Sequence, residues 1–202
     1  MMVLIVPMFL FLIGAFHCAT ALNDTIPASC FNKKFTIDPF FCCQPPKLIS
    51  EPLVKQCLQL FPVPKSERDE LKPDCMSECV MNRTGIFNPQ KNINGEKAMD
   101  AFTDNLVDRS LWIGIVEKTV KDCLSQAAAR KSDFEKDRVN LQAQYKTDRI
   151  CSPAAAFIME CVHVSVYKSC PANIFKSNQT ECVAIRNHLA QCPFYTAFPQ
   201  PT

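Results

Sequence analysis

Cysteine is the residue type with the most chemistry on offer in this chain: thirteen occur, at positions 18, 30, 42, 43, 57, 75, 79, 123, 151, 161, 170, 182 and 192. A zinc site needs Cys-x-x-Cys pairs with histidines close by, and neither is present. His163 and His188 lie on separate segments and read as structural or surface residues, so neither a metal nor a cofactor is expected. Cys161 and His163 stand two apart on a predicted helix, where side chains diverge, which argues against a thiolate–imidazole pair. There is no GxSxG elbow and no phosphate-cradling loop, and the chain has only four glycines. Carboxylate pairs such as Asp69-Glu70 sit in mixed-charge stretches, and the glycine-rich calcium loop and His-Asp pair of a secreted phospholipase are missing. The sequence therefore predicts no enzyme, and the chemistry left to cysteine is oxidation to disulfides.

The amino terminus agrees with an oxidising compartment. Met2 to Phe16 form an uncharged apolar run, the length of a signal-peptide core and short for a membrane span. Small residues at Ala19-Thr20-Ala21 predict cleavage after Ala21, with Ala19 as the alternative site and a retained anchor as the alternative fate. Cleavage removes Cys18 and leaves twelve cysteines of the thirteen, an even number as full pairing requires. Glycosylation sequons begin at Asn23, Asn82 and Asn178. Residues 1–21 are thus read as a signal peptide and the product as secreted and extracellular. The formal charge of +2 gives no reason to expect nucleic acid as a partner.

About 180 mature residues suit one domain better than two, since no Gly/Ser linker interrupts them and cysteines run from Cys30 to Cys192. Residues 22–50 look irregular, rich in proline and phenylalanine. Adjacent Cys42 and Cys43 rarely bond to each other and should reach two different partners, pinning this extension to the body, with Phe31, Phe35, Phe40 and Phe41 packed on it.

From Glu51 onward helical periodicity takes over. Leu53, Val54, Cys57, Leu58 and Phe61 form one face, with Pro52 in the first turn. Asp74 is placed to cap a helix bearing Cys75 and Cys79 on one side. Asn94-Gly95 marks a turn before a helix over 96–107, with Ala98, Phe102 and Leu106 in an apolar row. Residues 110–129 give the strongest stripe, through Ile113, Val116, Val120, Cys123, Leu124 and Ala127. The charged stretch that follows has few apolar anchors, Phe134, Leu141 and Tyr145, and reads as an exposed helix or alternatively a mobile segment. Ser152-Pro153 opens a helix apolar on nearly every face, which should be central, and Pro171 ends it after Cys170. A last helix over 178–191 carries Cys182, Ile185 and Leu189, and an apolar tail, Phe194 to Phe198, completes an all-α chain.

A small helical chain with so many staples either fills its core or uses them to keep a cavity open. A cavity forfeits burial energy, and each disulfide returns roughly 2–4 kcal/mol by constraining the unfolded chain. Composition leaves both open, and the more specific signal is in the intervals between the cysteines. From Cys57 they run C-x17-C-x3-C-x43-C-x27-C-x9-C-x8-C-P-x10-C-x9-C to Cys192. This pattern resembles the insect odorant-binding proteins, in particular their Plus-C subclass. The core six would be Cys57, Cys75, Cys79, Cys123, Cys161 and Cys170, with Cys151, Cys182 and Pro171 as subclass marks. The resemblance covers nearly the whole mature chain. It departs from shorter members in the long interval between Cys123 and Cys161, in the leading segment and in the stapled tail over 171–202.

The resemblance implies a disulfide-stapled helical bundle around an apolar cavity. Such a fold would carry odorants or pheromones in sensory lymph, meet a membrane chemoreceptor, and form homo- or heterodimers. It implies the bonds Cys57–Cys79, Cys75–Cys161 and Cys123–Cys170. Cys30, Cys42, Cys43, Cys151, Cys182 and Cys192 would form three more, in an order that the intervals do not fix. The strongest apolar faces offer Phe102, Leu106, Val116, Val120, Phe157 and Val164 as lining, though each would serve equally in a packed core, and Tyr145 or Tyr167 as a polar handle. The resemblance also raises pH-triggered release, for which the chain has only two mature histidines. The competing expectation is a secreted helical module, salivary, venom or regulatory, that binds a protein and has no cavity.

Overall fold

The computed structural model describes residues 27–62, 75–192 and 194–197. The signal peptide and its cleavage site, the Asn23 sequon, the Asp74 cap, Asp69-Glu70 and the end of the apolar tail lie outside the described residues. Those residues are all-helical apart from one isolated antiparallel bridge, Phe87 to Ile93.

Nine α-helices are described: α1 Ser29–Asn32, α2 Pro39–Cys42, α3 Glu51–Leu60, α4 Cys75–Arg83, α5 Gly95–Thr103, α6 Arg109–Ala129, α7 Lys131–Gln144, α8 Pro153–Lys168 and α9 Thr180–Leu189, with a 3-10 turn at Phe194–Ala197. The starts follow local chemistry. Asn94 Oδ1 accepts from the Lys97 N–H at 3.0 Å, and Ser152 Oγ accepts from the Ala155 N–H at 3.3 Å with Pro153 just inside, each satisfying an N–H that the helix itself leaves unpaired. Helix α8 is central as expected: it packs against α4, α6 and α7, burying Ala155, Ile158, Met159, Val162 and Val166.

Three details depart from the sequence reading. The 96–107 helix stops at Thr103, because Asp108 takes a left-handed conformation (φ 54°) that turns the chain into α6. Leu106 therefore sits in a connector and not in a helical row with Phe102. The leading segment is less irregular than expected, holding α1 and α2. Of its four aromatics only Phe35 is buried; Phe31 is 57% exposed and Phe40 and Phe41 more than 40%. Their contact with the body is by one face, Phe40 edge-on to Tyr167 and Phe41 beneath Lys176 Nζ.

All twelve cysteines among the described residues are bonded, in two sets of three disulfides. Cys57–Cys79 joins α3 to α4, Cys75–Cys151 joins α4 to the start of α8, and Cys123–Cys161 joins α6 to α8. Only the first matches the implied pairing; Cys75–Cys161 and Cys123–Cys170 are not formed. The reason is positional. Cys161 lies mid-helix beside α6, and Cys151 lies at the end of α8 that meets α4. Cys170 lies at the opposite end, where it meets Cys43. The core six are thus Cys57, Cys75, Cys79, Cys123, Cys151 and Cys161, and they keep the implied first-to-third, second-to-fifth, fourth-to-sixth order. Pro171 follows Cys170, which lies outside that set.

The second set is nested: Cys30–Cys192, Cys42–Cys182 and Cys43–Cys170. As expected, the adjacent cysteines take different partners. This clip ties α1 and α2 to α9. Within it the Tyr167 hydroxyl donates to the Pro39 carbonyl at 2.9 Å, the Lys176 N–H donates to the Cys42 carbonyl at 3.1 Å, and the Thr36 N–H and hydroxyl donate to the Glu181 carboxylate. His188, expected to be structural, is buried in the clip, edge-on to Phe35 and hydrogen-bonded to Thr196 Oγ1 at 2.8 Å.

Glu78 on α4 fixes the other end of α8. Its side chain is only 11% exposed and lies 3.2 Å from Lys91 Nζ and 3.5 Å from an Arg149 guanidinium nitrogen. It also accepts from the Ser152 N–H at 2.7 Å, so a carboxylate stands at the positive end of a helix dipole. Burial works against the charge, but the Ser152 N–H, Lys91 and Arg149 together outweigh it and hold the carboxyl below its usual range. A depressed carboxyl contributes stability above the pKa of the unfolded chain and loses it as the pH falls through the folded value. Glu78→Gln, which keeps an acceptor and removes the charge, should cost about 1 kcal/mol at pH 7. The gap to wild type should close below the usual carboxylate range, as followed by thermal unfolding at pH 7 and pH 3. An equal gap at both would contradict this role.

Candidate functional site

Helix α8 has two faces. One is sealed against α4 and α6. The other carries Phe157, Glu160, His163, Val164 and Lys168, and every one of these keeps accessible surface. For the three ionisable groups that accessibility does not bring the environment of bulk water. Burial pushes the Glu160 carboxyl up, against the pull of Lys168. It pushes Lys168 and the His163 imidazole below their ordinary values. Packed protein beside these groups thus disfavours charge on a face whose side chains still meet solvent.

The surroundings of this face are largely aromatic. The Phe157 ring lies 5.4 Å from Phe134 of α7, and the Arg130 guanidinium covers both rings at 4.7 and 5.1 Å from their centroids. The residue joining α6 to α7 thereby spends its cationic face on aromatic rings. His163 stands edge-on to Phe102 with centroids 6.4 Å apart. Its Nδ1 lies 2.8 Å from the Met159 carbonyl oxygen. The charged stretch after α6 is helix α7, and Phe134 is its one buried side chain, so its role here is to close on Phe157.

The sequence-derived candidates separate by location. Phe102, Val116 and Val120 are fully enclosed by protein atoms. Leu106, Phe157 and Val164 keep surface, the last two on the accessible face of α8. Tyr167 is committed to the clip through Pro39, and burial pushes its phenol up to about 12. Tyr145 is buried at the end of α7.

Two other recesses are open and mixed in polarity. One, of about 290 Å³, lies between α3 and α5 beside Leu53, Lys97, Asp100 and Asp104. The other, of about 310 Å³, lies between α6 and α8 beside Lys118, Asp122, Gln126, Ser165 and Ser169. Charges at both rims suit them poorly to an apolar guest. Among the described residues no group of His, Cys, Asp and Glu is placed to hold a metal ion, and no helix is long and apolar enough to cross a membrane.

Comparison with known proteins agrees with this architecture. The family model described as AgamOBP47-like matches residues 46–188. The chain is similar to Odorant-binding protein 47 of Anopheles gambiae, 26% identical over 125 residues, which cover 59% of this chain and 52% of that one. It is also similar to General odorant-binding protein 67 of the same organism, 22% identical over 161 residues, covering 76% of this chain and 74% of the other. The chain thus spans about half the length of the first relative and three quarters of the second.

Proposed function

The chain belongs to the AgamOBP47-like family of insect odorant-binding proteins, with the extra-cysteine, Plus-C type of disulfide pattern, and from that premise we propose that it is an extracellular carrier of small apolar ligands. The observation that supports the proposal, beside the family match, is the partly open apolar face of α8, where Phe157 and Val164 keep surface next to Phe134. An apolar molecule settling there leaves water and gains about 25 cal/mol for each Å² it buries. Binding is reversible enclosure with no bond made or broken. Phe157 and Val164 supply the wall, with Leu106 near the α5–α6 connector, and Phe102, Val116 and Val120 form the packed layer behind it.

Odorants or pheromones are the proposed class, secretion into sensory lymph the proposed setting, and a membrane chemoreceptor and dimer partners the proposed contacts. Residues 1–21 are the proposed signal peptide, the mature chain is a single domain, and Asn82 and Asn178, both exposed, are its proposed glycosylation sites together with Asn23. The competing reading, a protein-binding module, draws on the exposed Phe31, Phe40 and Phe41 of the clip. Displacement of a fluorescent apolar probe by a panel of volatiles separates the two. The carrier is expected to bind one probe per chain and release it to a subset of the panel. No binding of any probe would overturn the carrier reading.

A further inference from the structure

We infer that the recess between α6 and α8 is a second ligand site, for a small neutral polyol or sugar, separate from the apolar face of α8 and independent of the carrier reading. Its volume is about 310 Å³. Thr119 lies one turn before Cys123 and Ser165 one turn after Cys161, so the Cys123–Cys161 bond fixes the distance between the two walls. Thr119 is only 6% exposed, and its hydroxyl has no hydrogen-bond partner among the described residues. Every side-chain nitrogen or oxygen sealed from solvent there does have one. The Thr119 hydroxyl therefore keeps its surface, and the place where Thr119 meets solvent is this recess. Gly114 lines the same recess. A Cβ built on it would meet no atom within 4 Å, so packing does not require a glycine inside α6, where glycine weakens a helix relative to alanine. Its missing side chain leaves the wall open to a guest.

The lining selects the chemistry of that guest. Thr119, Ser165 and Ser169 offer hydroxyls and Gln126 a primary amide, groups that both donate and accept. The two charged side chains of the lining, Lys118 and Asp122, are paired with each other, so no uncompensated charge is left to attract an ion. An apolar guest would cover the Thr119 hydroxyl and give it no partner, which costs free energy, whereas a guest with neighbouring hydroxyls satisfies it. Ile115 is the one apolar side chain of the lining, and it suits the C–H face of such a molecule. The disulfide holds both walls in place beforehand, which lowers the ordering cost of binding.

The test titrates glycerol, myo-inositol and glucose into the full chain and follows the backbone amides by NMR. At least one of the three should give saturable shifts at millimolar concentration, confined to the amides of 114–126 and 165–169. Thr119→Val keeps the shape and removes the hydroxyl, and should weaken that binding about tenfold. Gly114→Leu should abolish it by filling the recess, and the fold should tolerate the change, since a Cβ there is unopposed and leucine favours helix. Shifts that persist unchanged in both variants, or that fall on other amides, would overturn the inference, and so would no shift with any of the three. Should a variant fail to fold, the wild-type map still decides by the same two outcomes. An apolar fluorescent probe should bind wild type and Thr119→Val alike, so failure of the polyol site leaves the carrier reading untouched.

Discussion

Replacing Cys75 and Cys151 together with alanine is expected to lower the unfolding free energy by about 4 kcal/mol, and the unfolding midpoint by about 8–16 °C. The same change at Cys30 and Cys192 should cost less, about 3 kcal/mol, although that pair is 162 residues apart and the first only 76. Taken alone, a loop of that length would rank the outer bond as the more stabilising, at about 5 kcal/mol. Nesting reverses the order. With Cys42–Cys182 intact, the outer bond closes only about 22 residues of otherwise free chain, the stretches flanking that inner bond. Cys75–Cys151 has a longer detour: through Cys57–Cys79 and Cys43–Cys170 the shortest remaining path is still about 37 residues. It also sits one helical turn from Glu78, whose carboxylate holds the Ser152 N–H. Two thermal or denaturant unfolding curves decide the matter. A larger loss at Cys30–Cys192 would show that the clip, and not the crossed bonds between α3, α4, α6 and α8, dominates stability.

The sequence shows why the helices are where they are more clearly than it shows how the cysteines pair. Ser152-Pro153, Pro52 and Asn94-Gly95 act within one turn, so they mark helix starts that survive in the fold. The central place of α8 follows from its broad apolar face, which packs against α4 and α6. Disulfide partners depend on which helix ends meet in space. Cys151 and Cys161 are close in sequence, but they stand at different heights on α8 and meet different neighbours. The resemblance made Cys151 the extra cysteine and Cys170 a core one, whereas the contact of α2 with α9 takes Cys170 for the clip and leaves Cys151 to Cys75.

The candidate site was legible only in part. Phe157 and Val164 stand out as apolar residues, but Phe102, Val116 and Val120 look the same in the sequence and are sealed in the core. Periodicity reports that a side chain faces inward and not how completely the neighbouring helices cover it.

The claim that this face of α8 encloses the ligand leads to the second large effect, on affinity. Val164→Trp adds bulk at the wall. In a packed core such an insertion costs about 1–3 kcal/mol and disturbs its neighbours. Opposite an empty space the indole can enter at little cost and occupy what a ligand would fill. Probe affinity and unfolding free energy, measured side by side on wild type and V164W, therefore test the central claim most directly. The proposed site predicts at least a tenfold weaker probe affinity with stability within about 1 kcal/mol of wild type. Unchanged affinity in a stably folded V164W would contradict it and place the ligand elsewhere on the molecule.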